Sequence, residues 1–485
     1  VLVCPWWIAK IGFILSLSEG MLFNSLHFLI FFPIVFILYW LVKGKHRWLL
    51  LLAASYYFYA SWKIEYIGLL LFSTAVDYLL SLKMSGIESK KRRRPYLVLS
   101  LISNLGLLFF FKYYLFANES FQWILEQGGG NYRFHHFEDL LLPVGISFYT
   151  FQTLAYTIDV YNGQHKAEKH LGIFALYVSF FPQLVAGPIE RFSNLGRQLK
   201  EQQQFSLENL KNGARLVLFG FFVKLVVADN LAPLVDGFYE NPEAYSSLGA
   251  WIATAFYSLQ IYGDFHGYSL IAIGLSLSMG FKIMDNFQNP YFATSIMEFW
   301  RRWHISLSTW FRDYLFIPLG GSRVNSLKLV VNISIVFIVS GLWHGANWTF
   351  VCWGALHGIL YLAERFAGKG KVNSIALKVL MNFKTLIIVN LAWVFFRSVD
   401  FAHSGQVFQR LFAFESEGKW MEIGPSLYTI LIVFALSEIL VFNSRFDRWV
   451  DSKPFILRWS IYTALLFGIL AFGGVQNLPF IYFQF

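Results

Sequence analysis

Cysteine and charge are both scarce in this 485-residue chain. It has two cysteines, Cys4 and Cys352, and only 14% of its residues are charged. Two cysteines in separate apolar stretches supply neither a disulfide framework nor the closely spaced ligands of a zinc site, so no metal site is predicted. Soluble domains carry about 25% charged residues. The low charge therefore excludes an ordinary soluble enzyme and favours a polytopic membrane protein.

Two common motifs are also missing. The chain contains neither a Gly-x-Ser-x-Gly nucleophile elbow nor a Gly-rich phosphate-binding loop. Their absence argues against hydrolases of that kind and against nucleotide-driven pumps. Lys and Arg outnumber Asp and Glu by 39 to 29, a formal net charge of +10. In a membrane protein this excess indicates basic cytoplasmic loops, and no nucleic-acid partner is expected.

Hydrophobic residues, by contrast, make up 56% of the chain. From Leu22 they form successive apolar runs of about membrane-spanning length. The predicted spans are 22–42, 47–62, 64–84, 96–116, 140–161, 171–187, 213–236, 248–280 (with a possible break), 327–346, 348–366, 380–397, 426–442 and 457–475. Runs interrupted by Phe181-Pro182 or Gly187-Pro188 are candidates for re-entrant segments. The pattern predicts an all-α polytopic protein.

The domain organisation is simple. No repeat, low-complexity segment or shift in composition marks a soluble domain, so residues 21–485 are predicted to form a single membrane-embedded domain. The chain opens on Val1, and Met21 follows the polar break Ser18-Glu19-Gly20. Val1–Leu17 lacks the basic start and cleavage site of a signal peptide. Residues 1–20 are interpreted as an extension or extra span, with translation starting at Met21.

The basic residues predict the orientation. Lys43, Lys45 and Arg47 separate the first two spans, and the run Lys90–Arg94 separates the third and fourth. Basic loops stay in the cytoplasm, so both are predicted there and residues 117–139 outside. We expect a multi-pass protein of the bacterial cytoplasmic (inner) membrane.

His344 is the most informative residue of the chain. It lies between Gly341 and Gly345, beside Trp343, at the end of an apolar run that starts at Leu327. An ionisable residue at membrane depth is a functional-site hypothesis, the alternative being a neutral imidazole hydrogen-bonded in the core. At about 1.5 Å per residue the run reaches about 26 Å, which predicts that His344 lies towards the outer side. Trp343 and Asn347 are candidates to orient its ring.

A second candidate region precedes this run. Ser295 and Glu298 have the spacing of a capping box, and a helix through residues 295–314 is predicted. Its aromatic stripe would comprise Trp300, Trp303, Leu307, Trp310 and Tyr314, with Glu298, Arg301, Arg302, Thr309 and Arg312 opposite. His304 falls at the border, one turn from Ser308. Arg301, Arg302 and Arg312 are predicted to meet an anionic donor, whereas an interfacial histidine with a structural role is the alternative.

Asp264 and His266 are weaker candidates. They place a carboxylate and an imidazole within an apolar run, where they are expected either to line a tunnel or to satisfy each other.

Four motifs together resemble the membrane-bound O-acyltransferase superfamily, and in particular its bacterial alginate O-acetyltransferase branch. They are Val144–Gln152, Phe181–Arg191, Glu298–Arg323 and Ser340–Gly345. The resemblance implies a ring of about 11–13 transmembrane or re-entrant helices around a central tunnel. It also implies that His344 is the catalytic histidine and His304 the second histidine of the family.

The resemblance implies an enzyme without a permanently bound cofactor. We expect it to take an acyl group, acetyl in the first instance, from a cytoplasmic thioester such as acetyl-CoA or an acyl carrier protein. The acyl group would cross the membrane to hydroxyls of an exported polysaccharide, with an extracytoplasmic SGNH-type acyltransferase as partner and membrane lipid around the protein. D-alanyl transfer to teichoic acid is the alternative within the family, and a transporter or flippase is the alternative of another class.

The chain departs from the family pattern at one motif. Many members read Asp-Phe-Ser-Gly-Tyr-Ser-Asp where this chain has Asp264–Leu270, with His266 replacing the small residue and Leu270 the second carboxylate. The departure leaves the histidine assignment intact and bears on the lining of the tunnel.

Overall fold

The computed structural model describes residues 20–129, 142–185, 187–368, 374–473 and 480–481. These residues form helices, and the only β interaction among them is one isolated bridge between Tyr245 and Lys419. The all-α prediction is confirmed. The predicted extension at 1–20 lies outside the described residues, except for Gly20.

The amino-terminal part ends with two long helices that pack on each other. The helices in this part are α1 (Leu26–Leu41), α2 (Arg47–Ala60), α3 (Tyr66–Ser85), α4 (Lys90–Gln127), α5 (Ile146–Asn162), α6 (Leu171–Ser179), α7 (Phe181–Leu184), α8 (Arg197–Lys200), α9 (Leu207–Glu240) and α10 (Ser247–Ser278). Because α6 ends at Ser179 and α7 is a single turn, the helix is broken around Phe181. The re-entrant course of this segment stays a prediction.

The remaining part carries both candidate histidines. Its helices are α11 (Ile296–Arg302), α12 (Ile305–Phe311), α13 (Ser326–His344), α14 (Trp348–Ala367), α15 (Ile375–Arg397), α16 (Phe401–Phe412), α17 (Pro425–Leu440), α18 (Phe446–Asp451) and α19 (Phe455–Phe472). Short 3₁₀ turns lie at Gly44–His46, Pro242–Ala244 and Pro290–Phe292, and π-helical turns at Phe109–Tyr113, Phe192–Gly196, Phe222–Ala228 and Arg312–Phe316.

Six helices of the described residues are long and apolar enough to cross a membrane, namely α3, α4, α9, α13, α15 and α19. Two further apolar helices, α1 and α17, are shorter. This pattern confirms the prediction of a multi-pass membrane protein. The predicted break in the span 248–280 is absent, because α10 runs without interruption for 32 residues.

The basic run Lys90–Arg94 was predicted as a loop but forms the first turns of α4. Lys90 donates to Asn162 Oδ1 at 2.9 Å, and Arg93 Nη1 lies 3.4 Å from the carbonyl oxygens of Val160 and Tyr161. Cations are favoured at the carboxyl end of a helix, and this run lies against the carboxyl end of α5. These contacts with the end of α5 stabilise the basic run as helix, so α4 begins before the apolar run does.

Glycines bring α13 and α14 into backbone contact. A Cβ atom at Gly341 would lie 2.2 Å from the carbonyl oxygen of Phe350, and one at Gly354 would lie 2.3 Å from that of Phe337. Neither position has room for a side chain. The close approach fixes the carboxyl-terminal half of α13, which carries His344.

Candidate active site

His344 is the last residue of α13 and is buried, with 2% of its surface exposed. Its ring is surrounded by aromatic side chains. The ring centroids of Trp343, Trp353 and Phe396 lie 5.0, 5.2 and 5.3 Å from that of His344. The helix end and these rings together hold one imidazole in an apolar environment.

His304 lies at a break in the chain rather than inside a helix. The structure ends α11 at Arg302 and starts α12 at Ile305, with His304 in the left-handed conformation at φ 44°. The predicted continuous helix is therefore wrong, although its N-cap at Ser295 is present. The break has a physical reason, since the Ile305 N–H donates to the carbonyl oxygen of Asn286 at 2.9 Å instead of continuing a helix.

Asn286 holds the imidazole of His304 in place. Its Oδ1 lies 3.2 Å from His304 Nδ1 and accepts a 2.9 Å hydrogen bond from Ser306 Oγ. Its Nδ2 donates to Ser269 Oγ at 3.3 Å, which fixes the orientation of the amide. Because an amide oxygen only accepts, His304 Nδ1 carries the proton and Nε2 keeps its lone pair.

The fold brings the two predicted histidines together. The ring centroids of His304 and His344 are 6.2 Å apart, and Trp343 lies 5.9 Å from His304. The ring centroids of Phe148 and Phe151 lie 5.4 and 5.5 Å from that of Trp343. The Trp343 ring therefore packs against both histidines and against two phenylalanines of α5.

One cavity opens directly onto His344. It has a volume of about 70 Å³ and is called the Lys112 cavity, and its lining includes Lys112, Ser147, Phe148, Trp343 and His344. That volume suffices for a few water molecules or a small acyl group.

Sequence reasoning missed Lys112. A signal for it exists, because Lys112 is the only charged residue of the predicted span 96–116, and an ionisable residue at membrane depth is a functional candidate by default. Asn286, by contrast, lies in a loop without any motif that predicts its contact with His304.

A second cavity, called the Arg301 cavity, is lined by several residues that the sequence predicts to lie near the acyl donor. It has a volume of about 450 Å³, and its lining includes Arg301, Ser308, Arg312 and, on α13, Ser340. Ser340 lies one helical turn before His344, and Ile305 next to His304 also lines this cavity. The cavity therefore leads from two exposed arginines towards the histidine pair.

His266 lines a third cavity of about 190 Å³, which also borders Asn286 and Ile305. Its ring stacks on Tyr262, with centroids 5.1 Å apart and an interplanar angle of 6°. His266 thus lines the same cavity as Asn286, the partner of His304, and no hydrogen bond from His266 to Asp264 is among the described contacts.

Asp264 belongs to a different cluster. Its Oδ1 lies 2.6 Å from Lys224 Nζ, which is also 2.7 Å from Asp229 Oδ1, and all three side chains are at least 96% buried. The interpretation that Asp264 and His266 satisfy each other is wrong, because the lysine of α9 takes the carboxylate. We call Lys224, Asp229 and Asp264 the ion cluster.

Asn347 begins α14. Its Oδ1 accepts from Thr349 N at 3.0 Å, and its Nδ2 donates to the Val399 carbonyl oxygen at 2.6 Å. Both groups of the amide are thus engaged in holding the turn after His344, and the suggested contact with the His344 ring is not among the described hydrogen bonds. Within the described ranges no group of three or more His, Cys, Asp or Glu side chains is arranged to hold a metal ion.

Known proteins resemble this chain along most of its length. The sequence model of the membrane-bound O-acyltransferase family matches residues 169–397, which include both histidines. The Azotobacter vinelandii protein named "Probable alginate O-acetylase AlgI" is 39% identical over 404 residues, or 82% of this chain and 79% of that protein. The chain belongs to the membrane-bound O-acyltransferase family. It is accordingly a membrane O-acyltransferase, which sets aside the transporter alternative.

Other relatives in this family differ in their named substrates. The peptidoglycan O-acetyltransferase of Helicobacter pylori is 37% identical over 416 residues, or 78% of this chain and 77% of that protein. The teichoic acid D-alanyltransferase of Bacillus subtilis is 29% identical over 249 residues, or 48% of this chain and 62% of that protein. The similarity to the two O-acetylating enzymes extends over more of the chain.

Proposed function

We propose that this membrane-bound O-acyltransferase moves an acetyl group from a cytoplasmic thioester across the membrane for O-acetylation of an exported polysaccharide. The observation that carries the proposal is the pair of buried imidazoles, 6.2 Å apart, with one cavity opening onto His344 and another ending at Ser340 and Ile305. Two substrates that approach from different cavities would meet at these rings.

In the proposed reaction His344 is the general base. It takes the proton of the attacking hydroxyl as the oxygen forms a bond to the thioester carbonyl carbon. The tetrahedral adduct then collapses, the carbon–sulfur bond breaks, and the thiolate takes up the proton from the imidazolium. Imidazole suits this task because positioned bases contribute about 10²–10⁴ in rate. His304, held through Nδ1 by Asn286, contacts one of the substrates.

Helix lengths support a site near the outer surface. If the basic start of α4 at Lys90 is cytoplasmic, Lys112 lies about 33 Å further along at about 1.5 Å per residue. On α13, His344 lies about 27 Å from Ser326 by the same measure. Because Lys112 and His344 meet in the structure, both estimates support a site at the side of a roughly 30 Å hydrocarbon core opposite the basic run.

Acetyl is favoured over D-alanyl because the similarity to O-acetylating relatives spans about four-fifths of the chain and that to the D-alanyltransferase about half. The protein acts in the bacterial inner membrane, and an extracytoplasmic SGNH-type acyltransferase completes the transfer. Acetyl-CoA or an acetylated carrier protein serves as donor at the Arg301 cavity, where Arg301 and Arg312 attract its negative charge.

His344→Gln tests the proposal. Membranes that contain the full chain and its partner are supplied with labelled acetyl-CoA, and label in the polysaccharide is measured. We expect a loss of at least about 10²-fold, because the base is removed. His357→Gln is the matched control, since His357 is an equally buried histidine of α14 that lies outside both cavities. We expect it to keep activity within about threefold.

Retention of transfer by correctly inserted His344→Gln would refute the assignment of the base. Failure of the wild-type protein to use either acetyl-CoA or an acetylated carrier protein, combined with use of a D-alanylated carrier, would refute the acetyl assignment. Complete polysaccharide acetylation by the chain without any partner would refute the need for a second acyltransferase.

A further inference from the structure

Lys112 binds the end of the helix that carries His344. Its Nζ donates to the carbonyl oxygen of Trp343 at 2.8 Å and to that of His344 at 3.1 Å. It projects from the π-helical turn Phe109–Tyr113 of α4, and such turns are frequent at functional sites. The contact joins two helices that are 231 residues apart in sequence.

This placement suits a cation. The last carbonyl groups of a helix have no partner within the helix, and the carboxyl end carries a partial negative charge. An ammonium group that donates to two of those carbonyls is stabilised there even in an apolar environment. The Trp343 ring adds a second favourable contact, with its centroid 6.0 Å from Nζ.

Capping alone does not explain a lysine at this point. The neighbouring Tyr113 hydroxyl already donates to the carbonyl oxygen of Leu342 at 2.9 Å, so an uncharged side chain performs the same task one residue away. An ammonium group has three N–H donors, and the two carbonyls engage two of them. The third remains for a group in the Lys112 cavity, which Lys112 lines together with His344 and Ser147.

We propose that Lys112 is a further catalytic residue, which donates this N–H to the thioester carbonyl oxygen as it becomes negative. The inference rests on the proposed function and assigns the charge-stabilising group of the same site. When the hydroxyl oxygen bonds to the carbonyl carbon, the carbon–oxygen π electrons move onto the carbonyl oxygen. They return as the carbon–sulfur bond breaks. Lys112 stays protonated throughout, and His344 carries the proton.

Two substitutions separate this role from capping. Lys112→Met removes the charge but keeps an unbranched side chain, whereas Tyr113→Phe removes a hydrogen bond to the same helix end and leaves the charge. Both are made in the full chain, purified and reconstituted in liposomes with its partner, and acetyl transfer from labelled acetyl-CoA is measured. We expect Lys112→Met to lower kcat about 10²–10³-fold, as removal of one oxyanion donor does, with the donor KM changed less than about threefold. Tyr113→Phe should keep kcat within about threefold.

Chemical rescue supplies an independent readout. Lys112→Ala opens space beside the cavity. Ethylammonium at millimolar concentration should raise the kcat of this variant at least about tenfold. Ethanol, which has the same size but no charge, should not. Rescue is not expected for a residue that merely holds the helix end.

The two proposals fail in different ways. If Lys112→Met and Tyr113→Phe lower kcat to the same small extent, or if ethylammonium has no effect on Lys112→Ala, Lys112 is a cap and this inference is wrong, while His344→Gln remains inactive. If His344→Gln is active, the proposed function itself is wrong, whatever Lys112→Met does.

Discussion

Two buried polar clusters of this protein look alike in the sequence and differ in their surroundings. In the histidine pair, His344 lines a cavity, and Ile305, next to His304, lines two others. The ion cluster of Lys224, Asp229 and Asp264 instead lies between α9, α10 and Ile481, whose N–H donates to Asp264. In the ion cluster one ammonium group contacts two carboxylates, and none of the three side chains lines a cavity described above. Burial of a polar group thus costs desolvation free energy that a partner must compensate. Access to a cavity is the feature that distinguishes a candidate reactive group from a structural one.

The largest effect is expected from removing the cation of the ion cluster. Lys224→Met leaves two buried carboxylates without their counter-ion, and breaking a buried pair in this way costs about 3–5 kcal/mol of folding stability. We expect a sharp fall in the folded fraction after mild heating, measured by size-exclusion chromatography in detergent. The molecules that remain folded should keep their acetyl transfer per molecule.

A combined variant sharpens this result. Lys224→Met with Asp229→Asn and Asp264→Asn removes all three charges and should recover part of the lost stability. Normal stability of Lys224→Met together with lost transfer would instead place the ion cluster in the active site and erase the contrast between the two regions.

The second effect concerns the orientation of His304. Asn286→Leu removes the acceptor of His304 Nδ1 and of Ser306, so the imidazole loses its fixed tautomer and direction. We expect acetyl transfer to fall about 10–100-fold, equivalent to about 1.4–2.8 kcal/mol, with a smaller change in stability than for Lys224→Met.

Ser269→Ala is the matched control for Asn286. It removes the hydrogen bond on the other side of the same amide and leaves the contact with His304. Its effect on transfer should stay within about threefold. Equal losses in the two variants would show that the amide matters for packing and that His304 needs no orientation.

A third variant alters the helix contact behind His344. Gly341→Ala places a Cβ atom 2.2 Å from the Phe350 carbonyl oxygen, so α13 and α14 must move apart. Overpacking of this kind costs about 1–3 kcal/mol, and displacement of His344 should lower transfer several-fold. Thermal unfolding and transfer rates are measured together.

Gly358→Ala controls for the added methyl group. At Gly358 the nearest atom is the Phe337 Cβ at 3.1 Å, which belongs to a side chain rather than to backbone. Its effect on both quantities should be smaller. If Gly358→Ala proves the more harmful of the two, the close backbone approach does not position the histidine.

The smallest effect is expected at the rim of the Arg301 cavity. Arg301→Gln and Arg312→Gln should each raise the donor KM about two- to fivefold and leave kcat unchanged, because both side chains are exposed and their charges are screened. The difference from wild type should shrink as salt is added. Lys328→Gln removes the same charge from an exposed position of α13 outside the cavity and should leave the KM unchanged.

The sequence by itself determined the fold class and the family, and it predicted the two histidines of the candidate site. The long apolar runs require helices because backbone groups in hydrocarbon must pair within the chain, and an imidazole at the end of such a run is rare enough to indicate a site. The helix α13 ends at His344, two residues before the predicted end of its span at 346, and the position of His344 towards the outer side stays a prediction.

Only the tertiary structure decided the contacts. The break at His304 depends on Asn286, which lies 18 residues earlier in sequence and outside any helix. The partner of Asp264 is Lys224 on α9 rather than the nearby His266, since helix packing brings the lysine within 2.6 Å. Lys112 meets the end of α13 across 232 residues. Periodicity predicts which face of a helix is apolar, but it carries no information about which distant polar group compensates a buried one, because that depends on how the helices pack.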